Sequence, residues 1–572
     1  MKIVVAKTAG FCMGVRRAVD MVLDASNLSS DPIYTYGPLI HNPQVLAMLE
    51  EKKIFRIDKI PEKGIGVVLI RAHGVPPEDE KALKDAGFTV INATCPRVVR
   101  VQVIINKYAK KGYSTIIIGD EKHPEVIGLL GYAEGKGHTV TTMAQLCALP
   151  GFENAVVVAQ TTQDTAFYDE IKAWCKINAP HYQIFDTICG STERRQTEIR
   201  ELAKVNDAVI VVGGKQSGNT KRLAQIASGT GKPAVHIEDV SQMNYDKLSS
   251  AKSIVITAGA STPNWIINDA YAQIQSNLHR QHPVKTFLFL IRDFLLKTNI
   301  MAAAGAGFLT YACSMLQGIS KDLKHALIAM LYVLSMQILN NLFTIKSDKY
   351  NHPQRALFYK KNRMYLCVLA VLSGAAGLYL SFITGVVSFF ILLVMTLLGL
   401  SYNIKIIPLI SKKGQIARIK DIPGSKTVLI TIAWGTVTCL LPAVANQSDL
   451  LSVAVVFLFA VGLVFARTAF FDILAIQGDR ITGKETLPIL LGEKASFTII
   501  QYVLIADMCI ILLTYFTDLL VNNAFLLAFI PFIMLLLIKF FKKNSLISSV
   551  HREFVIEFSF LAAGLLASVI YV

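Results

Sequence analysis

Apolar positions along this chain fall into two regimes that meet near its middle. Up to about residue 280 they come as short runs closed by turn residues, as in LIRAHGVPP, IIIGDEKHPEVIG, VVVAQTTQ, VIVVGGKQSGNT and VITAGAST. Runs this short, separated by longer mixed stretches, read as strands of an α/β domain. From about Thr298 the apolar runs lengthen and are broken only by short basic loops. Candidate spans lie at 298–318, 323–344, 362–382, 383–401, 426–444, 450–472, 496–516, 523–540 and 554–571, about nine helices each able to cross a bilayer. The 362–401 stretch is read as two helices broken near Thr384–Gly385. The pattern therefore predicts an α/β domain over 1–280, a linker over 281–297 announced by the polar run His279–Lys285, and an all-α polytopic membrane domain over 298–572.

Charge orients this arrangement. Lys346, Lys349, Arg355, Lys360, Lys361 and Arg363 follow span two, and Lys405, Lys412, Lys413, Arg418, Lys420 and Lys426 follow span four. Arg480, Lys484 and Lys494 follow span six, and Lys542, Lys543 and Arg552 follow span eight. The positive-inside rule then predicts an integral protein of the cell membrane with its amino-terminal domain in the cytoplasm. MKIVVAKTAG is too short an apolar run for a signal peptide, and nine cysteines without disulfide-like spacing suit a reducing compartment. A net charge of +16 suits anionic lipid and diphosphate ligands. It is not gathered into a basic helix or an aromatic-studded sheet, so nucleic acid is set aside as a partner.

Three of the cysteines, Cys12, Cys95 and Cys189, recur about once every ninety residues, each just past a strand-like run: Lys2–Val5, Phe88–Ile91 and Tyr182–Phe185. The repeat predicts three similar α/β units, each giving one thiolate to a shared centre. Three soft ligands with no CxxC pair fit an iron–sulfur cluster better than structural zinc. A [4Fe–4S] cubane held by three thiolates keeps one iron open to substrate. Other polar residues occupy the same kind of turn: His41, His73, His123 with Glu125, Thr161, Ser217 with Asn219, and Ser261. Ligands of α/β sheets bind at the carboxyl ends of strands, where these turns lie. A single histidine there is more often a satisfied loop residue; three interleaved with three cysteines point to a site. GGKQSGNT adds glycines for close approach and donors ahead of a helix, which suits phosphate. No nicotinamide or flavin fingerprint appears, which favours an external one-electron carrier.

The segments GFCMGVRRAV, HNPQV, AHGVP, NATCPRV, HPEVIG, QTT, DTICGSTERRQ, GGKQSGNTKRLA and TAGAST stand in this order through residues 1–280. On them this half resembles the 4-hydroxy-3-methylbut-2-enyl diphosphate reductase (IspH, LytB) family. The resemblance implies three α/β lobes around a central cluster and reductive dehydroxylation of an allylic diphosphate to isopentenyl and dimethylallyl diphosphates. Cys12, Cys95 and Cys189 would hold the [4Fe–4S] cluster, and Glu125 would donate a proton within a network of Thr161 and His123. His41, His73, His123, Thr161, Thr192, Ser217, Gly218, Asn219 and Ser261 would line the substrate, with Gly218 standing where relatives often carry serine. Ferredoxin or flavodoxin would be the electron donor by analogy.

In the membrane half, polar and acidic residues gather at two helix ends, Asn340–Asp348 and Asp472–Asp479. Paired on one face, they read as a bipartite Mg²⁺–diphosphate site. These loops, with DKYNHPQR, SYNIKIIP and IKDIPGSK, make residues 298–572 resemble the UbiA family of intramembrane prenyltransferases. Asn340, Asp348, Asp472 and Asp479 match that family's pattern. Asn341, Thr344 and Ala475 stand where it usually has aspartate, which removes three charged ligands from any Mg²⁺ site. The fusion would either pair the reductase with a prenyltransferase or use the membrane half as an anchor.

Overall fold

In this computed structural model the described residues are 2–29, 31–243, 248, 251–279, 283–319, 322–402, 409–410, 416–417, 424–517, 519–521, 523–543 and 548–570. Most of SYNIKIIP and IKDIPGSK lies outside them. The chain forms two compact units, Met1–Leu278 and His279–Val572.

The first unit begins with β1 (Lys2–Val5) and α1 (Met13–Leu28). It then lays down β2 (Ile33–Tyr36), α2 (Pro43–Glu51), β3 (Ile54–Ile57), β4 (Val67–Ile70), α3 (Pro77–Asp85) and β5 (Thr89–Asn92). After α4 (Pro96–Ala109) come β6 (Ser114–Ile118), α5 (Pro124–Leu130), β7 (Gly137–Val140), α6 (Met143–Cys147), β8 (Ala155–Ala159), α7 (Thr165–Asn178) and β9 (Gln183–Ile184). After α8 (Gly190–Val205) come β10 (Ala208–Val212), α9 (Gly218–Gly229), β11 (Ala234–Ile237), β12 (Ser253–Ala258) and α10 (Asn264–His279).

These strands make three four-stranded parallel sheets, ordered β3-β2-β4-β5, β7-β6-β8-β9 and β11-β10-β12-β1. Set side by side, the orders are one topology used three times. The third lobe takes its fourth strand from the other end of the unit, with Lys2 opposite Ser253. The inner strands β4, β8 and β10 are buried at every position, as parallel strands covered on both faces must be. That is why VVLI, AVVVA and AVIVV show no alternation. Each fourth strand lies at a sheet edge and feeds a helix that packs on the next lobe. Thus Val98, Val101 and Ile105 of α4 pack with Ile117 and Val156 of the second sheet, and Ile199 and Ala203 of α8 pack with Val209 and Val255 of the third. The chain therefore crosses between lobes three times.

The second unit is helical apart from a two-strand ladder, Leu409–Ile410 with Ile416–Ala417. It runs through α11 (Pro283–Lys297), α12 (Ile300–Leu316), α13 (Leu323–Asn351), α14 (Pro353–Lys361), α15 (Arg363–Thr384) and α16 (Val386–Ser401). It continues through α17 (Ser425–Gly435), α18 (Leu441–Asn446), α19 (Leu450–Ile481), α20 (Leu487–Leu491), α21 (Glu493–Leu513), α22 (Phe529–Lys543) and α23 (Ser549–Ile570). Among the described residues six segments are long and apolar enough to cross a membrane: Leu323–Ile345, Arg363–Thr384, Ser425–Asn446, Leu450–Ile481, Glu493–Phe516 and Ala524–Lys543. Ile300–Leu316 and Val386–Ser401 are shorter apolar helices. Gly385 separates α15 from α16. Most of the expected linker is helical: α11 carries exposed Val284, Phe287, Leu288 and Ile291 at helical spacing, a pattern that favours a helix over an extended connector.

Candidate active site

The threefold topology places the chemistry. The turn after the first strand of each lobe holds His41 (after β2), His123 (after β6) or Ser217 (after β10). The turn after the third strand holds His73 (after β4), Thr161 (after β8) or Ser261 (after β12). The turn after the fourth strand holds Cys95, Cys189 or, through the borrowed β1, Cys12. Nine polar residues thus occupy nine turns, three equivalent turns of each of three kinds, at the carboxyl ends of parallel strands, each leading into a helix.

Cys12, Cys95 and Cys189 are the N-caps of α1, α4 and α8, one at each crossing between lobes. A helix N-terminus turns unpaired backbone N–H groups towards its cap residue, so each sulfur faces such donors. Cys12 Sγ already accepts from Val15 N at 3.4 Å. The three converge: a Cβ on Gly14 would run into Cys95 Sγ, so only glycine lets α1 come this close. Burial pushes the Cys95 thiol up, and Cys12 and Cys189 are near enough to push it further. Three soft donors, one per lobe, fit an iron–sulfur centre.

Glu125 is 1% exposed in the first turn of α5. Its Oε1 accepts from Thr161 N at 2.6 Å and its Oε2 from Thr161 Oγ1 at 2.8 Å. Burial drives its carboxyl up to about 7, against the lowering effect of those two bonds. Thr161 in turn accepts from Cys189 N at 2.9 Å through its carbonyl, so the acid is tied by one residue to a cysteine turn. His123 Nδ1 accepts from Glu125 N at 3.1 Å, which leaves the proton of the neutral ring on Nε2. The imidazoles of His41, His73 and His123 cluster, with ring centroids 4.8, 5.3 and 6.0 Å apart. Burial, followed by Arg71 for His41 and by His41 for His123, holds both at about 4, while His73 lies well below its usual value. His41 Nε2, His73 Nδ1 and both amide atoms of Asn219 are buried without a hydrogen-bond partner. Ser217 caps α9, and Ser261 Oγ donates to the His41 carbonyl at 3.1 Å. Thr192 is buried in the first turn of α8. A Cβ at Gly218 would lie 3.2 Å from His123 Nε2, so glycine keeps that nitrogen uncrowded. Neutral donors, orphaned polar atoms and nearby cations make a pocket suited to a small anion, with an acid of tuned affinity beside it.

Two residues given no role by the sequence lock this centre. Arg195 is 4% exposed and donates from Nη1 to Ala258 O at 3.0 Å and from Nη2 to Gly10 O at 2.6 Å. It thereby binds the Cys189 helix to the turn that bears Cys12. Arg17 donates to Thr94 O at 3.0 Å and binds the Cys12 helix to the turn that bears Cys95. The signal available was their position, one turn past a capping cysteine in α1 and α8.

In the membrane half both segments are helical, and the ends of α13 and α19 meet where Asn351 Nδ2 donates to Asp479 Oδ1 at 2.9 Å. Asp472 is fully buried, with Oδ1 paired to Lys426 Nζ at 2.6 Å and Oδ2 accepting from Thr427 Oγ1 at 2.7 Å. Lys484 Nζ lies 3.6 Å from Asp479. Asp348 accepts from Thr344 Oγ1 at 2.8 Å. Asn341 Nδ2 lies 3.4 Å from both Asn299 Oδ1 and Tyr359 OH, and Asn340 precedes it, half-buried. Mg²⁺ is usually held by one or two carboxylates together with waters and substrate phosphates. Both oxygens of Asp472 are taken, whereas Asp479 Oδ2 is buried without a hydrogen-bond partner, the kind of atom a bound cation would satisfy.

Residues 3–275 match the model of the LytB protein family, and residues 300–554 that of the UbiA prenyltransferase family. The 4-hydroxy-3-methylbut-2-enyl diphosphate reductase of Alkaliphilus oremlandii is 40% identical over 279 residues, covering 48% of this chain and 100% of that protein. Its counterpart in Opitutus terrae is 38% identical over 288 residues, with the same coverage. The solved structure of the Plasmodium falciparum E-1-hydroxy-2-methyl-but-2-enyl-4-diphosphate reductase is 29% identical, covering 48% of this chain and 87% of that one, with a TM-score of 0.46.

Proposed function

The chain belongs to the LytB family through residues 3–275 and carries a UbiA-family domain over residues 300–554, and on that premise we propose that it is a membrane-held 4-hydroxy-3-methylbut-2-enyl diphosphate reductase. The reaction adds two electrons and two protons to the hydroxylated diphosphate and releases water with isopentenyl or dimethylallyl diphosphate. Cys12, Cys95 and Cys189 would hold a [4Fe–4S] cluster, which when bound supplies the electrons and, at the iron without a protein ligand, a Lewis acid for the C4 hydroxyl. Those electrons would come from a ferredoxin or flavodoxin.

The observation that carries the reading is Glu125, a buried acid poised near neutrality between the histidines and a cysteine turn. An acid with that affinity is protonated often enough at neutral pH to give its proton to the departing hydroxyl. Thr161 orients both of its oxygens, and Thr192 lies on the Cys189 side of the substrate. His123 presents its Nε2 proton, and His41, His73, Asn219, Ser217 and Ser261 offer the remaining groups to the diphosphate, with Gly218 leaving room beside them. Burial of Glu125 keeps its proton from bulk water.

For the membrane half, we read the two shorter apolar helices and α23 as spans as well, giving nine. The basic loops then place residues 1–280 on the cytoplasmic face of the cell membrane. This half holds the reductase at the bilayer, in contact with lipid.

The test is Glu125→Gln in anoxic full-length protein with a supplied reductant. Turnover should fall at least about 100-fold with iron content unchanged. Full turnover would remove Glu125 from the mechanism.

A further inference from the structure

Helix α11 stands near the start of the second unit, and only Thr298 and Asn299 separate it from α12. At 15 residues it is about 22 Å long, short of the roughly 30 Å of hydrocarbon that a span must cross. It does not run on into α12 as one helix, because Asn299 takes a left-handed backbone with φ 60° and its Nδ2 is held by Tyr359 OH at 2.7 Å. One side of α11 is packed: Leu296 is buried, and the helix rests on α12 and α23. Burial, and then the Arg292 guanidinium, lower the affinity of His551 for its proton, which puts α11 beside the first turn of α23. The opposite side is apolar throughout. Val284, Phe287, Leu288, Leu290, Ile291 and Phe294 form one stripe at helical spacing, exposed by 40% at Ile291 to 70% at Val284. A water-soluble surface rarely carries so large a continuous apolar patch. Charge keeps off the stripe: Asp293 pairs with Lys297 at 2.6 Å, and the Arg292 guanidinium lies 4.9 Å from the centre of the Phe289 ring.

We propose that α11 lies along the surface of the bilayer as an in-plane anchor, with this stripe immersed among the lipids and its charged flank at the headgroups. The helix is too short to cross, it is tied by two residues to an apolar helix of the membrane half, and it packs on another. Its stripe offers no polar group by which a protein partner could be recognised, whereas lipid requires none. The chain leaving the reductase half therefore meets the lipid surface before it meets the first span. The inference rests on reading residues 300–554 as membrane-embedded and is independent of the reductase chemistry.

The experiment places one added tryptophan in full-length protein, in nanodiscs whose lipids are brominated near the headgroup end of the acyl chains. The 3 native tryptophans are a background common to every sample and are subtracted. Tyr379→Trp, on the exposed face of α15, is the reference for a side chain in lipid. Emission from Phe287→Trp should be quenched by the brominated lipid within about twofold of the reference and be shielded from aqueous iodide, as expected about 5–10 Å into the headgroup boundary. Leu288→Trp, on the same stripe, should behave alike and covers the case in which Phe287→Trp fails to fold. Asp293→Trp, on the flank, should lose less emission to the lipid and more to iodide. Quenching at 287 and 288 by iodide alone would place the stripe in water and overturn the proposal. Shielding from both quenchers would mean that protein covers it, and an equal response at 293 would mean that no one face is immersed; either result also overturns it. A reference at 379 untouched by brominated lipid would remove the membrane reading itself, and the proposal with it.

Discussion

Thr161→Val removes one of the two hydrogen bonds to Glu125 and spares the other. The hydroxyl lies 2.8 Å from Oε2, and the backbone N–H, which any residue supplies, lies 2.6 Å from Oε1. Burial sets the carboxyl at about 7, and both bonds pull against it by favouring the charged form. A hydrogen bond to a charged group is worth about 1.5–3 kcal/mol, and one pH unit corresponds to about 1.4 kcal/mol. The variant should therefore keep its Glu125 proton through about one to two further pH units. The assay is kcat/KM against pH with anoxic protein and a supplied reductant. In the parent the alkaline limb marks loss of the Glu125 proton and should fall near 7. In the variant that limb should move to higher pH, with a lower plateau because the hydroxyl no longer orients the acid. A limb that stays in place, or moves to lower pH, refutes the assignment of Glu125 as the donor held by Thr161.

Cys189→Ser should abolish turnover and the visible absorption of a four-iron centre; wild-type iron and sulfide content in that variant would sink the three-thiolate assignment. Arg195→Met should lower the stability of the soluble half by about 3–6 kcal/mol, the worth of its two charged bonds to the carbonyls of Gly10 and Ala258, read as a drop in the urea midpoint. An unchanged midpoint would show that the clamp contributes nothing. Thermal stability should fall as pH drops from about 6.5 towards 4, because His41 and His123 stay neutral when folded but take up protons when unfolded. Glu125 acts in the opposite sense: its stabilising effect is full below about 4.5 and is lost as pH rises through about 7. His41→Asn/His123→Asn should therefore flatten or reverse the acid limb in a calorimetric scan, and an unaltered limb would remove these rings from the linkage.

Much of this was legible in the residues, for physical reasons. Parallel strands buried on both faces must be continuously apolar, so β4, β8 and β10 announced themselves, and a turn residue had to follow each. The cysteine repeat exposed the threefold plan because the same crossing recurs at the end of every lobe. The matching of His41, His123 and Ser217, or of His73, Thr161 and Ser261, was not legible, since equivalent turns carry different side chains. The clamp by Arg195 was hidden too, because its partners, Gly10 and Ala258, are backbone carbonyls that sequence does not mark. In the membrane half the carboxylates suggested a cation. Lys426 reaches Asp472 across 46 positions, a pairing only the packing of α17 on α19 reveals.

The borrowed strand has a consequence for how this protein comes into being. β1 leaves the ribosome about 250 residues before β12, the strand it pairs with. Two lobes can complete themselves during translation, but the third must wait with its edge partner already made and unpaired. Cys12, carried just beyond that strand, is accordingly the last of the three thiols to reach its final position. By then the first apolar helices are close behind, so completion of the third lobe falls in the same interval of synthesis as the start of the helical half.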